Sequence, residues 1–511
     1  MSEPSVDDGL DITEPNNYTR AARRVIELIE GGRGREAVAL ADRCTGQELM
    51  TLQLRGFAYT EASHGLGERE LAEKAIDMWQ AIKVESPRLT YHEANAHFSL
   101  WELEVKQRGR GPALVACRSH LHAARDLYAS AAAANDEGDI AVQALVNLAN
   151  SLDGMGRSID ALARYDQALL IDSAFGMALG NKGETLLTVA PLMHDHRPSV
   201  LNEAAWLLDR ALEDKDRILA IGGPIAFRHF GDARARLSGP DPDPPPPDAP
   251  FGDPYLEYCR RHGLFLHASL RCVAEESEML DPLYFNGITV GVSDEEQARM
   301  KYVIDSFNAL KQDYLAARYL AWITTEPRSP ISEQTSALRG RARMYDSLAY
   351  ARWGVRTGMA LQAMTAAINM LDKVASFVHH YFGIERKQKV YFRTLWHPPV
   401  GKGKPEVMHE EIFSRLKPNA KANPGLLALC DLTGDLERPT PLNELVERRH
   451  AATHRFLVAH HMLLTEPTDN DWVERIEWNE LVHGIISQLQ TARAALIYLA
   501  DVPGDVANGV R

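Results

Sequence analysis

The stretch Asn147–Ala168, NLANSLDGMGRSIDALARYDQA, decides the fold of the N-terminal half of the chain. Small and large residues are spaced along it in a fixed order: Ala149, Leu152, Gly156, Ala161, Tyr165 and Ala168. Small residues allow two helices to cross closely, and large residues fill the gap beside the crossing. The stretch therefore predicts a pair of packed helices.

The same pattern returns one repeat later. Gly183 follows Ala149 by 34 residues, which is the length of a tetratricopeptide (TPR) unit. The second helix of this later unit is expected at Ala204–Ala211, after an insertion. Weaker copies precede the first: Gly32 to Ala41, Leu54 to Tyr59, and Ala94 to Glu104 with Ser119 to Ala134. We therefore expect a TPR-like helical solenoid over residues 17–237, whose concave face would bind a peptide or protein partner.

A proline-rich segment follows the predicted solenoid. Residues 238–254 contain eight prolines, including the run Pro244–Pro247, and this composition predicts a semi-rigid extended spacer. At the N-terminus, residues 1–16 are predicted to be a flexible acidic tail. Residues 255–293 form a mixed connecting segment, in which Gly287–Val292 is a possible strand.

Residues 294–505 are predicted to form a helical bundle. Long apolar helices are expected at Tyr345–Tyr381, Thr440–Leu464 and Asp471–Ala500, and a bundle is the simplest way to bury their apolar faces. The predicted fold class is therefore all-α, with a helical solenoid followed by a helical bundle.

The predicted helix Thr440–Leu464 has a charged residue on its apolar face. The apolar stripe consists of Leu442, Leu445, Ala452, Phe456, Ala459 and Leu463. Arg449 occupies the missing position, and an arginine at a packed interface is costly unless an anion meets it. His450, His454 and His461 flank the stripe. Guanidinium binds phosphate oxygens in a fork and imidazole transfers protons near neutral pH, so the group suits phosphate chemistry.

A second arginine–histidine pair has the same spacing. Arg455 and His460 repeat the Arg-x4-His pattern, but Arg455 falls with Arg448 beside glutamates, on a side of the helix without apolar residues. We interpret that side as a solvated face, and expect this pair to have no catalytic role.

The motif Arg449-His450-x3-His454 resembles the Arg-polar-x3-His signature of the HEPN superfamily, whose all-helical domains occur in many ribonucleases of bacterial toxin, CRISPR and antiviral systems. His450 replaces the asparagine that usually follows the arginine. The resemblance covers roughly the last half of the chain. Further similar stretches lie upstream of the motif: Leu371–Phe377, His380–Phe382, Leu426–Asp435 and Tyr255–Leu266.

This resemblance implies a metal-independent endoribonuclease without a cofactor, acting in bacterial antiviral or toxin-type defence. Regulation by the solenoid is expected because a stiff proline-rich spacer, Pro240–Pro254, can transmit the position of the solenoid to the bundle. His454 would be the general base or acid at the ribose 2′-hydroxyl, giving a 2′,3′-cyclic phosphate, and Arg449 would hold the scissile phosphate. His450 would orient His454 or contact the phosphate. The resemblance also implies a homodimer with one composite site, which would bring together two groups that point about 140° apart on a single helix.

Residues 385–421 are predicted to bind RNA. They contain nine Lys and Arg residues against four Glu, and also Tyr391, Phe392 and Trp396. Basic residues interleaved with aromatic ones are typical of single-strand binding by charge and stacking. The predicted contact residues are Lys387, Lys389 and Arg393. A solvated loop with buried aromatic side chains explains the same composition.

Other interpretations of the motif stay open. Arg449 would be structural if it paired with a buried carboxylate such as Asp372, and His454 would then be a core histidine. We expect no metal, because His450 and His454 have a chelating i,i+4 spacing but neither an intervening glutamate nor a third ligand. The chain would otherwise be a non-catalytic HEPN module that binds RNA or nucleotide, or an adaptor whose bundle only dimerises.

Composition narrows the remaining classes. A net charge of −14 argues against a protein that coats nucleic acid non-specifically. No run of 18 apolar residues occurs and residues 1–17 are polar and acidic, so we expect neither a membrane span nor a signal peptide. The five cysteines include no Cys-x2-Cys pair, which fits the reducing cytosol.

Overall fold

A computed structural model describes residues 11–503, apart from 47, 135–137, 238–241, 245–248, 270–274, 276, 286–292, 328, 330–344, 346–349, 385–389, 397–407, 409–411, 413, 415–422, 439–455 and 463–472. Helices make up most of the described chain, and strands only a small part. The all-α fold class is confirmed. The possible strand at Gly287–Val292 falls outside the described residues.

The N-terminal half consists of helices joined by short turns. Their bounds are α1 Pro15–Glu30, α2 Gly34–Arg43, α3 Glu48–Leu66, α4 Arg69–Ala81, α5 Pro87–Arg108, α6 Arg110–Ala116, α7 Arg118–Ala133, α8 Gly138–Asp153, α9 Ser158–Ile171, α10 Gly176–Val189, α11 Arg197–Glu213, α12 Lys215–Ile221 and α13 Gly223–Ala235. Helices α1 and α2, α3 and α4, α5 and α7, α8 and α9, and α10 and α11 pack as pairs. Each pair also packs on the next pair, as expected of a solenoid.

Glycines mark the close crossings inside two of these pairs. A Cβ atom on Gly56 would lie 2.7 Å from the Trp79 ring, and one on Gly183 would lie 2.9 Å from Leu208. Gly183 is the residue that the repeat length assigns to a crossing, and Leu208 lies in its predicted late partner helix. The insertion between them forms the 3₁₀ helix Ala190–His196. Small residues therefore set the helix spacing where the sequence predicts it.

The C-terminal half is built around one buried helix. Its elements are α14 Pro254–Arg261, α15 Asp294–Thr325, α16 Val355–Tyr381, α17 Pro424–Glu437, β1 Phe456–His460, β2 Val473–Glu477 and α18 Trp478–Asp501. Helix α18 packs against α15, α16 and α17, and also contacts α9 of the solenoid. Nine consecutive residues near its end, 492–500, are buried. A helix that is buried on every side forms the core of the bundle.

Asn423 joins the two ends of this core. Its side-chain oxygen accepts a hydrogen bond from the Leu426 amide at 2.7 Å and so caps α17. Its amide nitrogen donates to the carbonyl oxygen of Val502 at 2.8 Å, just after α18. One buried side chain therefore fixes the start of α17 against the end of α18.

Three predicted helix bounds are wrong. Phe456–His460, expected to belong to the helix Thr440–Leu464, form strand β1, and the helix expected from Asp471 begins only at Trp478, after strand β2. These two strands pair in parallel, and this tertiary pairing overrides the helical spacing of their apolar residues. Helix α16 begins at Val355 instead of Tyr345, because Gly354 has a φ of 138°, which no helix can continue through.

A buried ionic network joins the solenoid to the bundle. The Asp431 carboxylate on α17 accepts hydrogen bonds from Arg125 on α7 at 2.7 Å and from Arg157 at 3.4 Å. Arg157 also lies 2.7 Å from Asp435 and donates to Asp160 at 2.8 Å. Asp431 and both arginines are buried. Buried ion pairs, as well as apolar side chains, therefore join the two halves.

The network shifts the ionisation of its members. Burial alone raises the pKa of Asp435, but the positive charges of Arg157, Arg125 and Arg438 outweigh this effect and hold the pKa at about 2. Burial lowers the pKa of Arg157, yet the neighbouring carboxylates raise it well above its usual value. Asp435 and Arg157 are therefore both charged at neutral pH.

Two close approaches complete this junction. A Cβ atom on Gly434 would lie 2.6 Å from the His122 ring of α7. Gly156, in the turn between α8 and α9, has a φ of 76°, and a Cβ there would lie 2.4 Å from the carbonyl oxygen of Pro424. Only glycine fits both a positive φ and this backbone contact.

The described part of the proline-rich segment lies against the solenoid. Asn202 on α11 donates to the Asp243 carbonyl at 2.8 Å and accepts from the Asp243 amide at 3.2 Å. The segment does not hold the two halves apart, because the solenoid and the bundle are in direct contact. None of the described helices is long and apolar enough to cross a membrane.

Gly425→Ala should destabilise the protein. The added Cβ would lie 2.2 Å from the Tyr498 carbonyl oxygen and 3.0 Å from the Asp501 side chain, so α17 and α18 would have to separate. We expect denaturant unfolding to show a loss of about 1–3 kcal/mol in unfolding free energy. Gly358→Ala is the control, because its Cβ would meet nothing within 4 Å; it should be neutral or slightly stabilising. Equal losses would contradict this account of the crossing.

Candidate functional site

Most of the predicted site lies outside the described residues. This holds for Arg449, His450, His454, Lys387 and Lys389. Arg393 is described and exposed, in the short 3₁₀ helix Phe392–Thr394. The described elements on either side of the motif define the surroundings of the site.

Strand β1 begins two residues after His454 and is held on both of its edges. It pairs in parallel with β2, from Phe456 opposite Val473 to His460 opposite Glu477. On the other edge, the Arg352 amide donates to the Ala459 carbonyl at 2.7 Å. Because β2 continues directly into α18, the chain leaving the motif is fixed to the central helix of the bundle.

An arginine, a histidine and a tryptophan meet beside this strand. The Arg352 guanidinium lies 4.1 Å from the centre of the Trp478 ring, a cation–π contact. Its Nη1 is 3.0 Å from Nδ1 of His461. Since guanidinium only donates, Nδ1 accepts and the proton of a neutral His461 is on Nε2. This arrangement suits the binding of a phosphate or a base near the chain that follows the motif.

Sequence reasoning missed Arg352. It lies more than ninety residues before the motif, within the helix expected at Tyr345–Tyr381, and backbone contacts with Ala459 and its neighbours bring it to β1. The proximity of Trp478 likewise depends on the pairing of β1 with β2.

The helical stripe argument fails from Phe456 onward. Phe456, predicted to face the interface, is 68% exposed, whereas Ala459 is 1% exposed. His461, predicted to flank the stripe, is exposed beside Arg352. His460, predicted to share a solvated face with Arg455, is 3% exposed. In a strand, neighbouring side chains point to opposite faces, so the angles of an ideal helix no longer apply.

The aromatic residues of the basic segment have different roles. Phe392 and Trp396 are buried and contact each other edge to face, with ring centres 5.7 Å apart. Tyr391 is 47% exposed and adjoins the exposed Arg393. The interpretation of buried aromatics is therefore correct for two residues, and Tyr391 is the one whose ring is accessible for stacking.

Asp372 supports this turn from helix α16. Its Oδ1 accepts a hydrogen bond from the Phe392 amide at 2.9 Å, and it is half-buried. A carboxylate that accepts from a backbone amide fixes the position of the next residue, Arg393. The pairing of Asp372 with Arg449 stays a prediction, because Arg449 is outside the described residues.

Among the described residues, no group of three or more His, Cys, Asp or Glu side chains is arranged to hold a metal ion. The four described cysteines, Cys44, Cys117, Cys259 and Cys430, are all buried and unpaired. Burial raises the pKa of the Cys259 thiol to about 11, which keeps it protonated and unreactive at neutral pH.

The C-terminal half matches a known domain family. Residues 295–503 match the LA2681-like HEPN family. The match runs from the first turn of α15 to the end of α18 and includes Arg449, His450 and His454. The C-terminal bundle is therefore similar to HEPN domains.

Comparison of whole chains adds little. A solved structure described as "Circular tandem repeat protein with novel repeat topology and enhanced subunit contact surfaces" is 10% identical, with 97% of this chain and 92% of that chain covered. Its TM-score is 0.17, so this likeness carries no conclusion about fold or function. No curated protein matches the chain.

His460→Ala should lower stability, although the spacing alone predicted a neutral surface change. His460 is a buried residue of β1, and truncation leaves a cavity beside the sheet. We expect a loss of about 1–3 kcal/mol in unfolding free energy. His461→Ala, one residue further and exposed, is the control, with an expected change within about 0.5 kcal/mol. A larger effect at His461 would show that the burial pattern of β1 is incorrect.

Proposed function

We propose that this protein is a metal-independent endoribonuclease of the HEPN type. The observation that carries the proposal is that an arginine and a histidine suited to phosphate chemistry, Arg449 and His454, fall inside the stretch that matches a HEPN family. Support also comes from the anchoring of β1, which ties the chain just after His454 to the core of the bundle.

In the proposed reaction the ribose 2′-hydroxyl attacks the adjacent phosphorus. His454 removes the hydroxyl proton, or returns a proton to the departing 5′-oxygen, and Arg449 offsets the charge that develops on the phosphate oxygens. The P–O5′ bond breaks, leaving a 2′,3′-cyclic phosphate and a 5′-hydroxyl. His450 orients His454 or contacts the phosphate.

The composite site is proposed to form in a homodimer. On a helix, groups five residues apart point in different directions, and two protomers side by side bring an arginine and a histidine to one phosphate. RNA is proposed to approach along the exposed Arg393 and Tyr391, with Lys387 and Lys389 continuing the basic path.

Regulation is proposed to act through the solenoid, in bacterial antiviral or toxin-type defence in the cytoplasm. A peptide or protein partner on its concave face would move α7, which carries Arg125, and the turn before α9, which carries Arg157; both arginines hold Asp431. Helix α17 carries Asp431 and ends at Glu437, upstream of the motif. The ionic junction therefore offers a direct route from the solenoid to the catalytic segment.

A non-catalytic HEPN module that binds RNA or nucleotide is the second candidate. The observation that favours it is His450, which stands where the superfamily usually has asparagine. An adaptor with a dimerising bundle is the third. RNA cleavage separates the first candidate from the others, and RNA binding separates the second from the third.

Replacing either motif residue should abolish cleavage. We expect Arg449→Ala and His454→Ala to reduce the rate of RNA cleavage by about 10²–10⁴-fold, because each removes a group acting in the transition state. Arg393→Ala should raise KM and leave kcat nearly unchanged. The matched controls are Arg228→Ala and His229→Ala, exposed on α13 of the solenoid. Full activity in both motif variants would refute the assignment.

Cleavage should not need a divalent metal. The purified protein is incubated with total RNA in excess EDTA, and the ends are sequenced after treatment that distinguishes cyclic phosphates. We expect unchanged rates, with 2′,3′-cyclic phosphate and 5′-hydroxyl ends. Loss of activity in EDTA that returns with added metal, or 5′-phosphate products, would indicate a metal-dependent mechanism instead.

A further inference from the structure

A basic cleft of about 1320 Å³ lies between the solenoid and the bundle. Its walls include α9 and α11 of the solenoid, α17 and α18 of the bundle, and residues 249–251 with α14. Pockets for small molecules usually measure about 300–1,000 Å³. The cleft is therefore large enough for a ligand that contacts both halves of the protein.

The charge of the cleft is opposite to that of the chain. Nine Lys and Arg residues line it against five Asp and Glu, in a protein with a net charge of −14. Seven of the nine cations lie within 4 Å of a carboxylate. The other two, Arg164 and Arg493, have no carboxylate that close in the described part of the chain, so their charge is available to a ligand.

Arg493 is the buried one of these two residues. It is 9% exposed and lies on α18. Its Nε donates to the Phe265 carbonyl at 2.6 Å, and its Nη2 donates to the His267 carbonyl. Neutral carbonyls do not cancel its charge, and burial lowers the pKa of the guanidinium. A cation held in this way is stabilised when an anion enters the cleft.

Arg164 faces the same volume from the solenoid. Helix α9 meets α18 where the Tyr498 hydroxyl donates to Asp160 at 2.9 Å. Arg164 lies one turn beyond Asp160 on the same face of α9, and Arg493 precedes Tyr498 by five residues on α18. The Arg164 guanidinium donates to the neutral amide oxygen of Gln167 at 2.8 Å. Each half of the protein therefore contributes one arginine without a carboxylate.

Flat surfaces stand beside these charges. The Arg210 guanidinium lies 5.3 Å from the centre of the Trp206 ring, and that of Arg260 lies 6.0 Å from the centre of Phe251. All four residues line the cleft. Aromatic rings and guanidinium planes are the groups on which nucleobases stack. An acidic peptide would use the charges and leave these surfaces without a role.

We propose that this cleft binds a nucleotide, with its phosphates at Arg164 and Arg493 and its base stacked at Trp206 or Phe251. The site is separate from the candidate catalytic motif. Arg493 lies about 22 Å along α18 from Trp478, and Trp478 directly follows β2 of the strand pair that comes after the motif. Binding here is a property of the solenoid–bundle junction and is measurable whether or not the protein cuts RNA.

The test is calorimetric titration of the intact chain with ATP in EDTA, compared with tripolyphosphate, which lacks a base. ATP should bind more tightly than tripolyphosphate. Arg164→Gln should weaken the binding of both ligands by about tenfold or more, as expected for a lost charge-assisted contact. Trp206→Ala and Phe251→Ala, singly and together, should weaken the binding of ATP and not that of tripolyphosphate. Arg228→Gln, outside the cleft on α13, is the matched control and should change neither.

Three results would overturn the proposal. The first is that ATP gives no heat of binding at concentrations up to about 1 mM. The second is that Arg164→Gln and Arg228→Gln weaken ATP binding equally, and the third is that a hexaglutamate peptide binds more tightly than ATP with the same dependence on Arg164. Each variant is first checked by thermal melting, and Arg164 is chosen over the buried Arg493 because its side chain is only half-buried. Loss of nuclease activity alone would leave the binding result unaffected.

Discussion

The carboxylate of Asp431 is the constraint on which the arrangement of the two halves depends. It is fully enclosed and accepts from two arginines that belong to different helix pairs of the solenoid, Arg125 and Arg157. A buried charge without its partner costs several kcal/mol, so none of the three can be displaced alone. Such a network requires strict geometry, and here that geometry fixes helix α17 against the solenoid. Everything downstream of α17, including the motif segment, starts from that fixed point.

Helix packing in the N-terminal half was predictable because it depends on local spacing. Gly183 could be assigned to a crossing from the repeat length, and the structure sets it against Leu208. The segment Phe456–His460 shows the opposite case. The spacing of its apolar residues suits a helix, whereas their side-chain types suit a strand. The segment forms a strand because it pairs with Val473–Glu477, more than ten residues away. Pairing between distant segments overrides the local preference for a helix, and the spacing of apolar residues in a single sequence does not reveal that pairing.

The candidate site divides in the same way. The position of Arg393 on an exposed turn agrees with the composition of its segment, because charge runs are usually accessible. Composition could not separate Phe392 and Trp396, which are buried, from Tyr391, which is exposed. The sequence could not identify Arg352 as part of the site, because a backbone hydrogen bond to Ala459 brings it to strand β1. The catalytic assignment of Arg449 and His454 rests on chemistry and on the family match to residues 295–503.

The long separation between the members of the ionic junction has a consequence during synthesis. Arg125 and Asp431 are 306 residues apart, and Arg157 and Asp431 are 274 apart. While the ribosome is translating the residues between them, the solenoid carries two arginines whose buried partner does not yet exist. At about 5–20 residues per second this interval lasts tens of seconds. During it, Arg125 lacks the carboxylate of Asp431 and Arg157 keeps only that of Asp160, and the bundle can dock only after the chain has passed α17.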